Sequence, residues 1–161
     1  MAIQGARPRD GSLISHLLVR DAKAACEFYA RAFGARELYR SPLPGGAGLH
    51  VKLKIAEALV WVTDESPPDM EEPGHMAAGL GSPQTLCGTS VLLELCVDDA
   101  DAWFDRAVKE GASPTLPMGE AFWGDRYGWV TDPFGHIWAL SSVQVELTPR
   151  EVTDRMSQFA N

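Results

Sequence analysis

The sequence predicts an α+β fold in which one plan, a strand followed by a helix and further strands, occurs twice. Residues 14–35 read as a short strand, an aspartate and a helix, and residues 92–112 repeat that order. Aligning Val19-Arg20-Asp21 with Val97-Asp98-Asp99 gives an offset of 78 residues, and the same offset relates later strands of the two halves. A chain of 161 residues is one domain, or two very small ones that share a core.

The predicted helices have one apolar face each and recognisable ends. Apolar residues recur at spacings of three and four, the period of a helix face, in two sets: Ala22, Ala25, Cys26, Tyr29 and Phe33, then Ala102, Trp103, Ala107 and Val108. Gly34 and Gly111 follow these runs, where helix C-caps favour glycine. A third helix is predicted in the tail, with Thr148 as N-cap, Pro149 at its first position and Glu151 closing a capping box.

Strand-like runs follow each of the first two helices. They lie at 50–55 and 58–63 in the first half and at 127–131 and 136–141 in the second. With the offset of 78, residues 58–61 fall on 136–139. The segment between the halves, residues 65–89, is rich in Pro, Gly, Met and acidic residues. A loop of that length is unusual inside a compact domain, so it is predicted to be a linker between modules or a lid over a pocket.

Composition limits the partners and the compartment. The net charge is −8 and no stretch concentrates Lys and Arg, which argues against nucleic acid and anionic membranes as partners. No apolar run approaches the ~20 residues of a membrane span, and the N-terminal MAIQGARPRDG lacks the apolar core of a signal peptide. Three cysteines without CxxC spacing fit a reducing cytoplasm, with Cys26 and Cys96 expected as buried thiols.

Five motifs, all within residues 13 to 152, carry a family resemblance: VRDAKAACEFYARAFGA, GSPQTL, VDDADAWFDRAVKEGA, FWGDRYGWVTDPFGHIWAL and LTPRE. The sequence resembles the vicinal-oxygen-chelate superfamily of glyoxalases, bleomycin-resistance proteins and extradiol dioxygenases. Within it, the chain is most similar to the glyoxalase-like branch that carries the demethylubiquinone-methyltransferase domain label. The resemblance implies two βαβββ modules forming an open eight-stranded barrel-like sheet around a pocket, with the helices outside and usually in a homodimer.

The predicted organisation follows from the repeat and the resemblance together. We expect an N-terminal arm at 1–11, a first βαβββ module at 12–64, the linker or lid at 65–89, a second module at 90–146 and a C-terminal helix at 147–161. The fold alone implies no single reaction, because it hosts several chemistries as well as plain binding.

The metal ligands that the resemblance implies are replaced in this chain. Metal-using members take ligands, usually His or Glu, from the first and last strands of each module. The matching positions are Ile14, Trp61, Leu92 and Ala139. None of these side chains binds a divalent ion, so no metal and no cofactor are predicted. The remaining alternative is a displaced metal site that uses His16 and Glu94 with a third ligand such as His50.

Strand alternation predicts which residues face the pocket, because residues two apart share a face. The predicted pocket face comprises Ile14, His16, Leu18, Leu59, Trp61, Thr63, Leu92, Glu94, Cys96, Ile137, Ala139 and Ser141. The opposite face should pack on the helices, and strands with apolar residues on both faces are expected to be buried on both sides.

Two polar residues, His16 and Glu94, interrupt the pocket face at repeat-equivalent positions. A buried carboxylate is costly without a partner, so His16 is predicted to pair with Glu94. The pair either fixes the junction of the modules, or orients a bound organic molecule with Trp61 and His50, or acts as acid and base in catalysis.

Two further segments carry polar or aromatic side chains of interest. In FWGDRYGW (122–129), Trp123 and Tyr127 are predicted to stack on a planar ligand, and Arg126 to hold a carboxylate or phosphate. The alternative is that this segment only shapes the entry to a strand. His136 in DPFGHIWAL has the opposite strand parity from Ala139, so it is predicted to be a structural residue of the turn.

The function that the sequence favours is metal-free binding of a small, partly aromatic organic molecule, which the protein sequesters as resistance proteins do. The alternative is an enzyme, a lyase, isomerase or oxygenase of glyoxalase or dioxygenase type, that uses His16 and Glu94 as acid and base or a noncanonical metal site. A third reading is a structural dimer without a ligand. The sequence leaves open whether any reaction is catalysed, and it predicts a homodimer.

Overall fold

The computed structural model describes residues 13–65 and 79–159. The predicted arm at 1–11 and most of the predicted loop at 65–89 lie outside the described residues. The chain divides into two compact units at Cys87 and Gly88, except that residues 31–33 are grouped with the second unit. Within the described ranges, none of the helices has the length and apolar character that a membrane span needs.

The first unit has one mixed four-stranded sheet. Its elements are β1 (Ser15–Val19), α1 (Ala22–Phe33), β2 (Arg36–Pro42), a 3₁₀ turn (Pro44–Gly46), β3 (Leu49–Ile55), β4 (Ala58–Asp64) and the short α2 (Pro83–Leu86). The strand order is β1-β4-β3-β2. β1 runs parallel to β4, and the other neighbours are antiparallel.

The second unit repeats this plan. Its elements are β5 (Leu92–Cys96), α3 (Ala100–Lys109), β6 (Ser113–Glu120), β7 (Asp125–Thr131), β8 (Ile137–Val143) and α4 (Pro149–Phe159). The strand order is β5-β8-β7-β6, again with one parallel pair, β5 with β8. The α+β class with two βαβββ modules is therefore confirmed. The described strands form two four-stranded sheets that are not closed into a barrel.

The strand register confirms the internal repeat. His16 lies opposite Trp61 in the first unit, and Glu94 lies opposite Ala139 in the second, so both parallel pairs keep the offset of 78. Asp21 and Asp99 occupy equivalent N-caps, and each carboxylate accepts a hydrogen bond from the backbone N–H three residues later. The repeat is therefore present in the hydrogen bonding as well as in the sequence.

The helix ends agree with the predicted caps. α1 is capped by Gly34 in the left-handed region, at φ 64°. α3 ends one residue earlier than predicted, with Glu110 as C-cap followed by Gly111 at φ 117°. At α4 the Glu151 carboxylate accepts from the Thr148 backbone N–H at 2.8 Å, which forms the predicted capping box.

Most of the residues predicted to pack on the helices are buried, but the opposite face of β5 is not. Leu17, Val19 and Val60 are buried in the first unit, and Leu95, Trp138 and Leu140 in the second, whereas Leu93 and Val97 of the same predicted set are only half-buried. On the other face of β5, Leu92, Glu94 and Cys96 are exposed. The expectations that strands are buried on both faces and that Cys96 is a buried thiol are therefore wrong for β5. Edge position alone does not explain this, because β1 is also an edge strand and its Leu18 is buried; the difference is that none of the described residues covers this face of β5.

The described end of the predicted loop contains α2, which the sequence reading did not assign. Ser82 caps it through Thr85. The Glu65 carboxylate accepts hydrogen bonds from the Ser82 backbone N–H at 2.8 Å and from the Thr85 hydroxyl at 2.7 Å. Arg20 donates to the same Thr85 hydroxyl at 3.1 Å. This network attaches α2 to the end of β4.

Candidate functional site

A buried threonine hydroxyl joins two histidines in the first unit. Thr63 of β4 is 2% exposed. Its Oγ1 lies 2.6 Å from His16 Nε2 and 2.8 Å from His50 Nδ1. The three side chains meet because β4 lies between β1 and β3 in the sheet, which brings residues 47 and 13 positions apart into contact.

Trp61 completes this cluster two residues before Thr63, on the same strand face. Its ring centroid lies 5.5 Å from that of His16 and 5.0 Å from that of His50, with interplanar angles of 83° and 81°. The indole Nε1 is buried and has no hydrogen-bond acceptor among the described residues. We call the set of His16, His50, Trp61 and Thr63 the histidine cluster.

The shared hydroxyl couples the protonation of the two imidazoles. A hydroxyl has one proton to donate, so it donates to one ring nitrogen and accepts an N–H from the other. One histidine of the neutral pair therefore presents a lone pair to Thr63 while the other presents an N–H. Adding a proton to both rings would also place two positive charges on rings whose centroids are 5.6 Å apart. The cluster is built to hold one proton more readily than two.

Different side chains occupy the equivalent positions of the second unit. The register places Ser141 where the first unit has Thr63, Tyr127 where it has His50, and Ala139 where it has Trp61. Glu94 and Cys96 on β5 match His16 and Leu18. The duplicated scaffold therefore carries a histidine cluster in the first unit, and the second unit has Tyr127, Ala139 and Ser141 at the positions of His50, Trp61 and Thr63.

The predicted burial of Glu94 is wrong. Glu94 is exposed on β5, so the desolvation argument that demanded a partner for its carboxylate does not apply. In the first unit His16 is also exposed. Its Nε2 already has a hydrogen-bond partner in Thr63, so it does not need a carboxylate for that role. A role of Glu94 beside His16 stays a prediction.

The FWGDRYGW segment forms a groove at the β6–β7 hairpin of the second unit. This hairpin groove has a volume of about 220 Å³. It is lined by Leu116, Pro117, Gly119, Glu120, Ala121, Phe122, Trp123 and Tyr127. The centroid of Trp123 lies 4.9 Å from that of Phe122 and 5.0 Å from that of Tyr127. The structure thus brings together the predicted aromatic pair, Trp123 and Tyr127, and adds Phe122.

Arg126 does not belong to that groove. It alternates with Tyr127 along β7 and therefore lies on the other face of the strand. There its Nε and Nη2 donate to the Asp101 carboxylate of α3 at 2.9 and 2.6 Å. Hydrogen bonding to Arg126 lowers the pKa of Asp101, which keeps the pair ionised. The prediction that Arg126 holds a ligand carboxylate or phosphate beside the aromatics is not supported by this geometry.

The DPFGH turn has the structural role that was predicted for His136. The Asp132 carboxylate, 4% exposed, accepts from the backbone N–H groups of Phe134 and His136, each at 2.9 Å. It also accepts from Trp138 Nε1 at 2.9 Å. The His136 backbone, rather than its imidazole, makes these bonds and closes the turn through its carbonyl to the Asp132 N–H.

The residues at the implied metal positions do not fit a metal. Ile14 and Trp61 in the first unit, and Leu92 and Ala139 in the second, carry no oxygen, sulfur or basic nitrogen donor. The two clustered imidazoles are both directed at Thr63. Among residues 13–65 and 79–159, His, Cys, Asp and Glu form no group of three or more that could hold an ion. The displaced site formed by His16, His50 and Glu94 is accordingly not supported.

Acidification should destabilise the protein through His50. Burial lowers the pKa of its imidazole below the ordinary value of 6.5, because desolvation disfavours the charged ring. The unfolded chain then binds the proton more readily. The contribution of His50 to stability is full above about pH 6.5 and is lost as the pH falls through the folded-state pKa. We expect an imidazole titration below 6.5 by NMR and a weaker acid dependence of urea unfolding in His50→Gln. A titration above 6.5 would contradict this.

Thr63 is the member of the histidine cluster that the sequence did not single out. Strand alternation assigned it to the pocket face, but a threonine in a strand gives no further signal, because threonine is common in strands for packing reasons alone. Glu120 was likewise outside the predicted site, whereas Phe122 belonged to the predicted aromatic segment FWGDRYGW. The register of three strands was needed to find the contacts of Thr63, and the shape of the hairpin to find Glu120.

Comparison with known proteins agrees with this architecture. A family model for the Glyoxalase/Bleomycin resistance protein/Dioxygenase superfamily matches residues 13–140. An uncharacterized protein of Mycobacterium bovis is 40% identical over 147 residues, 91% of this chain and 92% of that protein. TioX from Micromonospora sp. ML1 is 25% identical, with 83% of this chain and 98% of that one covered and a TM-score of 0.62.

A more distant structure shows the same fold. The fosfomycin resistance protein FosX from Listeria monocytogenes, crystallised with Mn(II) and sulfate, is 16% identical, with 96% of this chain and 99% of that one covered and a TM-score of 0.58. The family model spans more than half of the sequence, and the two βαβββ units agree with the fold of these structures. The chain therefore belongs to the glyoxalase/bleomycin resistance protein/dioxygenase superfamily.

Proposed function

We propose that the protein binds a small, partly aromatic organic molecule at the histidine cluster, without a divalent metal. The observation that carries this proposal is the buried Thr63 hydroxyl shared by His16 and His50 beside Trp61. Binding sites for small molecules combine apolar and aromatic walls with a few convergent polar groups. The histidine cluster has both, on a face where His16 is exposed.

The unpaired indole of Trp61 supports an oxygen-bearing ligand. A buried donor without an acceptor costs about 1–3 kcal/mol of stability. A hydroxyl or carbonyl oxygen of a ligand that reaches Trp61 Nε1 would remove that cost, while the imidazoles supply a donor and an acceptor. The expected ligand is a planar molecule with oxygen at its edge. Sequestering such a molecule requires no reaction, which fits a family whose description includes bleomycin resistance proteins.

The second candidate is an enzyme that uses the cluster for acid–base chemistry. One feature favours it: the Thr63 hydroxyl contacts both imidazoles, so the protonation of one imidazole affects that of the other. In the predicted scheme Glu94 is the second acid–base group. Catalysis would give a rate that depends on His16 and Glu94, whereas sequestering would give affinity without turnover.

The test begins with identification of the bound molecule. Native mass spectrometry of gently purified protein, followed by ligand-observed NMR with phenols, quinones and aromatic acids, would supply a ligand. Trp61→Ala should then weaken binding by about 1–3 kcal/mol, the worth of one stacking contact. Tyr39→Ala is the matched control, because Tyr39 is 57% exposed in the same unit and outside the cluster.

Glu94→Gln tests whether the Glu94 carboxylate takes part in either candidate function. The substitution removes the charge and nearly keeps the shape, so it should change the pH profile of binding or of turnover if Glu94 takes part. Affinity unaltered in a folded Trp61→Ala variant, together with an unaltered pH profile in Glu94→Gln, would place the site outside the histidine cluster.

Protein purified without chelators should contain no stoichiometric divalent metal. Ile14, Trp61, Leu92 and Ala139 offer no ligands at the implied positions. Elemental analysis by mass spectrometry is the measurement. About one equivalent of zinc, nickel, iron or manganese per chain would refute the proposal.

The protein should form a homodimer in a reducing, cytoplasmic compartment. Val91 and Leu92, at the edge strand β5, are 58% and 41% exposed, and covering them would be favourable. Light scattering should give twice the 17.5 kDa of one chain. A single species of 17.5 kDa at micromolar concentration would refute the dimer. The exposed thiols of Cys87 and Cys96 suit a reducing compartment.

A further inference from the structure

We propose that the hairpin groove of the second unit is a separate binding site for a small organic cation with a methylated ammonium group. The proposal does not depend on the histidine cluster, because the two sites share no residue. It reverses the charge preference that the sequence suggested, since Arg126 was expected to select an anion.

Three aromatic rings line the hairpin groove at steep angles to one another. The planes of Phe122 and Trp123 are perpendicular, at 90°, and those of Trp123 and Tyr127 meet at 76°. The three rings contact one another edge to face, and all three are among the residues that line the groove. The negative face of an aromatic ring attracts a cation within about 6 Å of its centroid, and indole attracts it best.

The charges around the hairpin groove favour a cation. Glu120 is among the lining residues, and no Lys, Arg or His is among the described residues that line it. The Asp125 carboxylate accepts a hydrogen bond from Trp123 Nε1 at 3.1 Å, which places a negative charge at the edge of that indole. The Phe122 and Tyr127 rings add no charge of their own.

Arg126 offsets only part of this preference. Its guanidinium lies on the other strand face, where both oxygens of Asp101 accept its hydrogen bonds. Glu120 lies opposite Arg126 in the register, so the two side chains share a face and Arg126 balances the Glu120 charge. The Asp125 carboxylate, which accepts from Trp123 Nε1, keeps its negative charge beside the aromatic rings.

The hairpin groove is preformed by its backbone. The turn that carries Trp123 is fixed by hydrogen bonds from the Gly124 N–H to the Ala121 carbonyl and from the Ala121 N–H to the Asp125 carbonyl, at 3.0 and 2.7 Å. Gly124 has φ 104° and lies so close to the Val145 carbonyl that a Cβ would collide with it. The Gly124 carbonyl also accepts from the Val145 N–H at 3.0 Å. Trp123 is therefore held in place before any ligand arrives.

The size of the hairpin groove sets the size of the ligand group. Pockets for drug-sized molecules measure about 300–1,000 Å³, and this groove measures about 220 Å³. It suits a compact head group such as a trimethylammonium, with the rest of the molecule in solvent.

The test compares choline with 3,3-dimethylbutan-1-ol, which has the same shape without the charge. Both are titrated by NMR into wild-type protein and into Trp123→Leu, Asp125→Asn and Tyr39→Leu. Choline should saturate, and the neutral alcohol should bind about three- to thirty-fold more weakly. Trp123→Leu should lose choline binding by a similar factor, Asp125→Asn should weaken it, and Tyr39→Leu should leave it unchanged.

Three results would overturn the proposal. Equal affinity for the two probes would show that the hairpin groove binds only through apolar contact and does not select a cation. Absence of saturation by choline would exclude the site. A Trp123→Leu variant that changes the mass in light scattering, while choline has no effect on the wild type, would assign the groove to contact with a second copy. If Trp123→Leu does not fold by circular dichroism, Asp125→Asn and Glu120→Gln decide, because neither removes a ring.

Discussion

Replacing Asp132 by alanine is expected to lower the free energy of unfolding by about 3–5 kcal/mol. The buried carboxylate accepts three hydrogen bonds, from the Phe134 and His136 backbone and from Trp138 Nε1. Hydrogen bonds to a charged group contribute about 1.5–3 kcal/mol each, and neighbouring bonds are not additive. Alanine also leaves the indole donor of Trp138, which is 1% exposed, without this acceptor.

Urea unfolding followed by circular dichroism measures this loss. Asp132→Asn should lose less, because one side-chain oxygen can still accept from the two backbone N–H groups. Asp154→Ala serves as the control, since Asp154 is exposed on α4 and surface substitutions stay within about 0.5 kcal/mol. A loss below about 1 kcal/mol for Asp132→Ala would mean that the turn forms without its carboxylate.

Thr63→Val should have the second largest effect, because it removes the hydroxyl that joins the histidine cluster and nearly keeps the shape. The imidazole nitrogens of His16 and His50 lose their common partner. The free energy of unfolding should fall by about 1–3 kcal/mol, the cost of unpaired polar groups in a partly buried setting. Affinity for the ligand found by mass spectrometry should fall about tenfold or more, the effect of one lost hydrogen bond of about 1.4 kcal/mol.

The conservative variant Thr63→Ser separates the hydroxyl from the packing. Serine keeps the shared oxygen, so it should restore the affinity and the NMR titration of the two imidazoles. Independent titration curves for His16 and His50 in Thr63→Val, and coupled curves in the wild type and Thr63→Ser, would support the shared-proton description. Identical curves in all three proteins would refute it.

The repeat and the faces of the strands were predictable because they depend on local order. The aspartate N-caps, the two helix faces and the offset of 78 follow from spacing along the chain, and the register of β1 with β4 and β5 with β8 agrees with them. The role of the DPFGH turn was also predictable, because an Asx-type turn forms from the backbone next to its own aspartate.

Two site predictions failed for different reasons. Glu94 was assigned to a buried face from alternation alone, but alternation does not say whether anything covers that face, and Glu94 is exposed. Arg126 was grouped with Trp123 and Tyr127 because the three are close in sequence. The pleat of β7 turns Arg126 to the opposite face, where Asp101 of α3 meets it.

The sequence by itself determined the α+β class, the two βαβββ modules and the family, because these depend on residue type, spacing and motifs. It also determined that Ile14, Trp61, Leu92 and Ala139 occupy the positions where the family resemblance implies metal ligands. Only the tertiary structure decided that His16, His50 and Thr63 form one hydrogen-bonded cluster and that no Lys, Arg or His is among the described residues that line the hairpin groove. The physical reason is strand order. β4 enters the sheet between β1 and β3, and that placement, which no local pattern specifies, brings two distant imidazoles to the Thr63 hydroxyl.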